Sequence, residues 1–240
     1  MDSGATHEIA KLPPRGSITT VNADATLLAG TYIDHLEFNP TNPNLLMFCH
    51  KGPWHKVDRI WLMNSDGSNI HLVHHRTMQM EIAGHEFWGA DSKIVWYDLQ
   101  TPRSQVFWVA GYNAITGERT WYNLMRNEWS IHFNVSHDGK LFSGDGGGPR
   151  QVAHATDGEW IYLFRPQLIE NRGVQDPMLI RTGVFHAEKL VNRSKHNYRL
   201  EPNVSFTPDD KWVVFRSNMF GPTYAFAVEV EKATGPSPSE

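Results

Sequence analysis

The stretch GADSKIVWY (89–97) determines the fold class, because an acidic turn residue is followed at once by a run of residues typical of a buried strand. The same arrangement recurs in SHDGKLFSG (136–144) and TPDDKWVVF (207–215), and more loosely in NADATLLAG (22–30) and NPTNPNLLMF (39–48). Each copy predicts a turn and then a strand. The chain therefore repeats one β-rich unit.

The spacing of these turns indicates the size of the repeat. Aligned on Asp24, Asn42, Asp91, Asp138 and Asp209, successive turns are separated by 18, 49, 47 and 71 residues. The two middle values fit a four-stranded propeller blade, whose period is roughly 40 to 50 residues. We predict an all-β propeller with TolB-like or WD40-like blades, and a β-sandwich is the alternative.

The two irregular intervals predict where the blades are incomplete or extended. The short first interval predicts that residues 1–33 are the remnant of an earlier blade, and that 34–240 hold four blades of a single, partial propeller domain. The long last interval predicts an insertion around 144–192. Within two blades, DRIWLMNSDGSNIHLV (58–73) and FWVAGYNAITGERTWYN (107–123) each predict two outer strands joined by a turn.

Composition excludes several classes of partner. The 240 residues are 40% hydrophobic and carry a net charge of -4, which argues against the basic surface of a nucleic-acid binder. No apolar run reaches the roughly 18 to 20 residues that span a bilayer, so we expect no membrane partner. The one cysteine, Cys49, cannot form an internal disulfide, and the N-terminus lacks signal-peptide features. We therefore expect a cytoplasmic location.

Polar residues recur at one position of the repeat. His85, His132 and Asn203 each lie six residues before the aligned turn residue, and His35 lies seven before its own. Equivalent positions of blades converge on one axis, so we expect a ring of these side chains at a channel mouth. Imidazole with the oxygen donors Glu201 and Asn203 suits a first-row divalent cation. The alternative is that these groups only satisfy each other's hydrogen bonds.

Several motifs, taken together, resemble one known family, the oligogalacturonate lyases of polysaccharide lyase family 22. The likeness covers most of residues 34–230. It depends on FCHKGPWHKVDRIWLMNSDGSN (48–69), GHEFW (84–88), SIHFNVSHDG (130–139), LFSGDGGG (141–148) and NVSFTPDDKWVVFRSN (203–218).

The resemblance implies a seven-bladed propeller that acts in pectin degradation. It implies β-elimination of short oligogalacturonides, such as digalacturonate and unsaturated digalacturonate, with a divalent metal, typically manganese. The family's general base matches His85, its arginine after the Val-Asp pair matches Arg59, and its metal-binding histidine matches His132. Full chains of the family are longer by several blades on the N-terminal side.

The last blade departs from the family pattern. Where the family has Gln-x-x-His-x-His, this chain reads Tyr-Arg-Leu-Glu-Pro-Asn (198–203), so three of four expected metal ligands are replaced. Glu201 and Asn203 supply oxygen donors in their place, and with His132 they form the predicted metal set. Oxygen-rich ligation suits manganese, calcium or magnesium better than zinc, so we expect Mn²⁺. Loss of the metal is the alternative.

Further side chains are candidates for binding the carboxylates of an anionic substrate. Water or Tyr198 would serve as the proton donor to the leaving oxygen. Two other functions stay open, namely a non-enzymatic TolB-like propeller acting as a binding module, and an inactive truncated homologue. The candidate substrate-binding residues are His35, His50, Lys51, His55, Tyr198 and Arg199.

Overall fold

The computed structural model describes residues 32–170 and 179–231, and nearly all regular structure in these ranges is β-strand. Among the described residues, no helix is both long and apolar enough to cross a membrane. The strands are β1 (Tyr32–Phe38), β2 (Leu45–Lys51), β3 (Ile60–Asn64), β4 (His71–Leu72), β5 (Ile82–Trp88), β6 (Ile94–Gln100), β7 (Phe107–Asn113), β8 (Arg119–Leu124), β9 (Ser130–Val135), β10 (Phe142–Gly146), β11 (Trp160–Leu168), β12 (Ile180–Asn192), β13 (Ser205–Phe206), β14 (Trp212–Ser217) and β15 (Tyr224–Glu229).

The predicted hairpins form where the sequence places them. The 58–73 stretch gives β3 and β4, with a turn closed by Gly67, whose N–H donates to the carbonyl of Asn64 at 2.9 Å. The 107–123 stretch gives β7 and most of β8, with Gly117 at the turn. Both glycines have positive φ, 82 and 76, a conformation that other residues seldom adopt. The all-β prediction is confirmed.

Part of the predicted domain organisation is not covered by the structure. Nearly all of the predicted remnant, 1–33, and the whole 22–30 repeat lie outside the described residues. The predicted insertion falls on the connection between β10 and β11 and on the long strands β11 and β12. The division of 34–240 into four blades with an insertion around 144–192 stays a prediction.

The described residues form two compact units, and the first comprises 32–88 and 92–121 with 179–181. Its first sheet has the strand order β1-β2-β3-β4, and β5, β6, β7 and the start of β8 follow one another in the second. Alternate residues of these strands point into one apolar core, where each buried Leu, Ile or Val contributes roughly 1.5–3 kcal/mol. Its fully enclosed members include Met47, Ile60, Leu62, Val95, Tyr97 and Leu99.

The second unit comprises 89–91, 122–170 and 182–231 of the described residues. Strands β9, β10, β11 and β12 pair in sequence order as one antiparallel set, and β13, β14 and β15 form a three-stranded sheet. Ile161 and Leu163 of β11 pack with Val213 and Phe215 of β14 in its core. A slip of one residue would turn these side chains to solvent, so burial fixes the register.

A buried carboxylate anchors the loop that leads into β5. Glu81 accepts hydrogen bonds from the backbone N–H of Thr77 at 2.6 Å and of Met78 at 3.1 Å, and its other oxygen lies 2.7 Å from Nε2 of His74. Burial alone would raise the pKa of Glu81, but the hydrogen bonds from His74 and Thr77 outweigh it and leave this pKa lowered. The loop therefore enters β5 in a fixed position.

Candidate active site

The three predicted histidines all lie at β-bulges. The strand register shifts at His35 in β1, at His85 in β5 and at His132 in β9, where two residues oppose one residue of the neighbouring strand. His35, His85 and Asn203 also share a left-handed backbone, with φ of 49, 47 and 50. Histidine and asparagine tolerate this conformation better than most residues. A bulge re-aims its side chain, and bulges are common beside active sites.

Asp98 orients the imidazole of His85. The carboxylate of Asp98 in β6 lies 2.9 Å from Nδ1 of His85, and its side chain is only 3% exposed, against 29% for His85. A carboxylate can only accept, so in a neutral imidazole the proton sits on Nδ1. The lone pair is then on Nε2, which is the arrangement that a general base requires.

The Trp54 indole contacts both His85 and Arg59. Its ring centroid is 5.2 Å from that of His85, and the guanidinium carbon of Arg59 lies 4.0 Å over the same indole. Gly84 makes this packing possible, because a Cβ there would come within 2.5 Å of the Trp54 ring. Arg59 is buried, and among the described residues its Nε and Nη1 have no hydrogen-bond partner. Such a buried cation favours an anion beside it.

Asp145 plays the corresponding part in the second unit. Its buried carboxylate lies 3.0 Å from Nδ1 of His132 and accepts a 2.8 Å bond from the His132 backbone N–H. It also accepts from the hydroxyl of Tyr198 at 3.2 Å and from the backbone N–H of Asn203 at 3.1 Å. One carboxylate thus holds His132 and both ends of the 198–203 segment.

Arg193 supplies the charge that balances Asp145. The Arg193 side chain is fully buried, and its Nη2 donates to the carbonyl of Gly146 at 2.6 Å. Burial lowers the pKa of Arg193, and the negative charge of Asp145 opposes this effect. Burial and the charge of Asp145 together raise the pKa of Tyr198, so this phenol stays protonated at neutral pH.

A cavity of ≈ 470 Å³ opens beside Tyr198. Arg150 and Arg199, both exposed, lie on its wall with the amide side chain of Gln151. The oxygen of that amide accepts a 2.6 Å bond from the backbone N–H of Gly148. This cationic wall suits an anionic ligand.

The other predicted substrate-binding residues lie in different surroundings. His50 is fully buried, burial lowers its pKa, and neither of its ring nitrogens has a partner among the described residues. Lys51 lies with its Nζ 3.4 Å from Nε2 of His35, which is half-exposed. His55 is partly exposed, and its carbonyl accepts a hydrogen bond from Arg76. Their roles in substrate binding stay predictions.

Sequence reasoning missed the two orienting aspartates. Both lie 13 residues after a predicted histidine, Asp98 after His85 and Asp145 after His132. This repeated interval is the signal that could have found them. Each aspartate also lies seven residues after its aligned turn residue, and Cys49 occupies this position in the repeat aligned on Asn42.

The assignment of His132, Glu201 and Asn203 as metal ligands stays a prediction, and their surroundings are chemically compatible with it. Asp145 holds Nδ1 of His132, which turns Nε2 toward the carboxylate of Glu201 at 4.0 Å. A carboxylate behind a histidine is the usual support of a metal-binding imidazole, since it fixes the ring and raises its basicity. Asn203 is anchored to the same carboxylate by its backbone. These nitrogen and oxygen donors fit a divalent cation of the manganese type.

Antiparallel β-sheets that include three bulged, polar strands, β1, β5 and β9, define this protein as a β-propeller. The family model described as oligogalacturonate lyase matches residues 14–234, and the chain belongs to that family, as its motifs predicted.

Individual relatives show how far the similarity extends. The chain is 28% identical over 226 residues to an oligogalacturonide lyase of Pectobacterium atrosepticum, and 29% identical over 230 residues to an oligogalacturonate lyase of Dickeya dadantii. Each match covers 90% of this chain and 54% of the relative, so the chain spans about half the length of the curated relatives it matches. A solved oligogalacturonate lyase in complex with manganese superimposes with a TM-score of 0.64 at 23% identity, over 84% of this chain and 49% of that one.

Proposed function

We propose that this chain cleaves short oligogalacturonides, such as digalacturonate and its unsaturated form, by metal-assisted β-elimination in cytoplasmic pectin degradation. The observation that carries the proposal is the His85–Asp98 pair at 2.9 Å, placed within the GHEFW motif of a chain that belongs to the oligogalacturonate lyase family. The two bacterial relatives are an oligogalacturonide lyase and an oligogalacturonate lyase, which supports oligogalacturonides as the substrate class.

His85 acts as the general base in this proposal. Nε2 takes the proton from C5 of the uronate, the C4–O4 bond breaks, and a C4=C5 double bond forms. Asp98 keeps the lone pair on Nε2 and stabilises the imidazolium that results. A positioned base of this kind contributes on the order of 10²–10⁴-fold to a rate.

Arg59 neutralises the substrate carboxylate. Charge develops on this carboxylate as the C5 proton leaves, so a fixed guanidinium stabilises the transition state more than the ground state. The Trp54 face under Arg59 keeps the guanidinium in one orientation. Lys51, His50, His55, His35 and Arg199 are candidates for the remaining substrate carboxylates.

His132, Glu201 and Asn203 hold the manganese ion in this proposal. A divalent cation there would supply Lewis-acid stabilisation of a uronate carboxylate. Tyr198 is the candidate proton donor to the leaving O4, because its raised pKa keeps the hydroxyl protonated. The manganese complex of a family member supports this choice of metal.

Turnover of digalacturonate in the presence of Mn²⁺, followed by the ultraviolet absorption of the unsaturated product, tests the base. His85→Ala should lower the rate by about 10²-fold or more with the circular dichroism spectrum unchanged. His75→Ala is the matched control, because His75 also lies beside a buried carboxylate, that of Asp58, at 3.4 Å. Equal rates in the two variants would remove His85 from this role.

Manganese content after mild purification tests the metal set. His132→Ala should lose the ion, whereas His137→Ala should retain it. His137 also contacts an aspartate, Asp210, at 3.0 Å, but it lies on a surface turn. Absence of manganese from the parent chain would argue against this half of the proposal.

A further inference from the structure

A second group of metal-ligand side chains lies in the first unit, apart from the predicted manganese ligands. Among the described residues, His35, Cys49 and Glu86 are the one set of three His, Cys, Asp or Glu ligand atoms found within 4.8 Å of one another. They come from β1, β2 and β5, and thus from both sheets of that unit. Cys49 and Glu86 are buried, and His35 reaches solvent.

The geometry points to a binding site for a thiophilic divalent cation such as Zn²⁺, held by Nδ1 of His35, Sγ of Cys49 and a carboxylate oxygen of Glu86. Nδ1 of His35 and Oε1 of Glu86 are 3.4 Å apart. Two ligands at about 2.05 Å from one tetrahedral zinc ion are separated by about 3.3 Å, so this pair already has the required spacing. Three protein ligands leave the fourth position to a solvent molecule.

The environment of Glu86 provides independent support. Its side chain is 1% exposed, and neither carboxylate oxygen has a hydrogen-bond partner of good geometry among the described residues. Nδ1 of His35, at 3.4 Å, is a distant partner for so deeply buried a carboxylate, and a cation at this position would offset the cost of its burial.

The sulfur ligand determines which metal the site selects. Coordination deprotonates a thiol outright. Thiolate favours zinc over manganese, which separates this site from the oxygen-rich set around His132.

Binding of a cation by His35 would remove one contact of Lys51. Its Nζ lies 3.4 Å from Nε2 of His35 and 3.9 Å from a carboxylate oxygen of Asp34. When Nδ1 of His35 binds a cation, Nε2 carries the proton and can no longer accept from Lys51. The ammonium then pairs with Asp34 alone.

Co²⁺ added to the chelator-treated full chain is the probe, because a cobalt–thiolate bond gives a charge-transfer band in the near ultraviolet. Cys49 is the only cysteine in the sequence, so such a band can have one source. We expect the band to appear at one equivalent of Co²⁺, to disappear on addition of Zn²⁺, and to be absent in Cys49→Ser. Glu86→Gln should weaken Co²⁺ binding at least about 10-fold.

Two further variants make the experiment decisive. His132→Ala should keep the band, which separates this site from the manganese ligands and from lyase activity. His35→Ala should weaken it at least about 10-fold, and its half-exposed side chain can be removed without opening the core. The His35→Ala variant therefore tests the site even if Cys49→Ser fails to fold. No band in the parent chain, or an undiminished band in His35→Ala, would overturn the assignment.

Discussion

Replacing Asp145 should destabilise the second unit more than any surface change near it. The Asp145→Ala variant removes the acceptor for both His132 bonds, for the Tyr198 hydroxyl and for the Asn203 backbone N–H. It also removes the counter-charge to the buried Arg193. All of these groups keep their polar atoms but lose their partner.

The size of the effect follows from these four bonds. A net loss of about 1–1.5 kcal/mol for each gives about 4–6 kcal/mol. For a chain of this size, 1 kcal/mol corresponds to roughly 2–4 °C in Tm, so Tm should fall by about 10–20 °C. Asp145→Asn should lose about half as much, because one oxygen still accepts while the amide nitrogen faces two donors.

Thermal and urea unfolding, followed by circular dichroism, measure these losses. Asp138→Asn is the control, since Asp138 lies on the exposed turn of the same hairpin and asparagine is equally suited to turns. Its free energy of unfolding should change by less than about 0.5 kcal/mol. If Asp145→Ala were no less stable than this control, the four bonds would not hold the 198–203 segment.

Three other predictions concern the first unit. In Asp98→Asn the new amide can donate a hydrogen to Nδ1 of His85, which moves the imidazole proton to Nε2. The turnover of digalacturonate should then fall by about 10²-fold or more, and Tm should change far less than in Asp145→Ala. Gly84→Ala should displace the Trp54 ring, lower the free energy of unfolding by about 1–3 kcal/mol and change the tryptophan fluorescence; an unchanged emission spectrum would contradict the close packing. The folded-state pKa of Glu81 is lowered, so its carboxylate stabilises the protein above the unfolded-state pKa of about 4.5, and this contribution is lost as the pH falls through the folded-state pKa. The difference in unfolding free energy between the parent chain and Glu81→Gln should therefore shrink below pH 4.5. A difference that stays constant with pH would contradict this prediction.

The sequence predicts the strands well because local signals specify them. Gly67 and Gly117 mark the hairpin turns, and the runs of apolar residues between turns mark the strands. The same signals identify His85 and His132 as equivalent, since each lies at a constant distance from its turn.

Partners across strands are harder to predict, because they depend on register and on bulges. Asp98 reads in the sequence as one polar residue in an apolar strand, and only the bulge at His85 brings the two together. Arg193 gives no sign in the sequence of being fully buried. The clustering of Cys49 with Glu86 is equally hidden, since these residues lie in different sheets.

The bulge that recurs in three strand pairs has an evolutionary consequence. Duplication of one hairpin would copy a ready-made way of turning a histidine out of its strand, and one neighbouring position would then be free to change its chemistry. That position holds Asp98 and Asp145 in two of the strand pairs, β5–β6 and β9–β10, and in the pair β1–β2 it holds Cys49. A single codon at this place thus separates an oxygen partner from a sulfur partner, and Cys49→Asp would give the pair β1–β2 the pattern of the other two pairs.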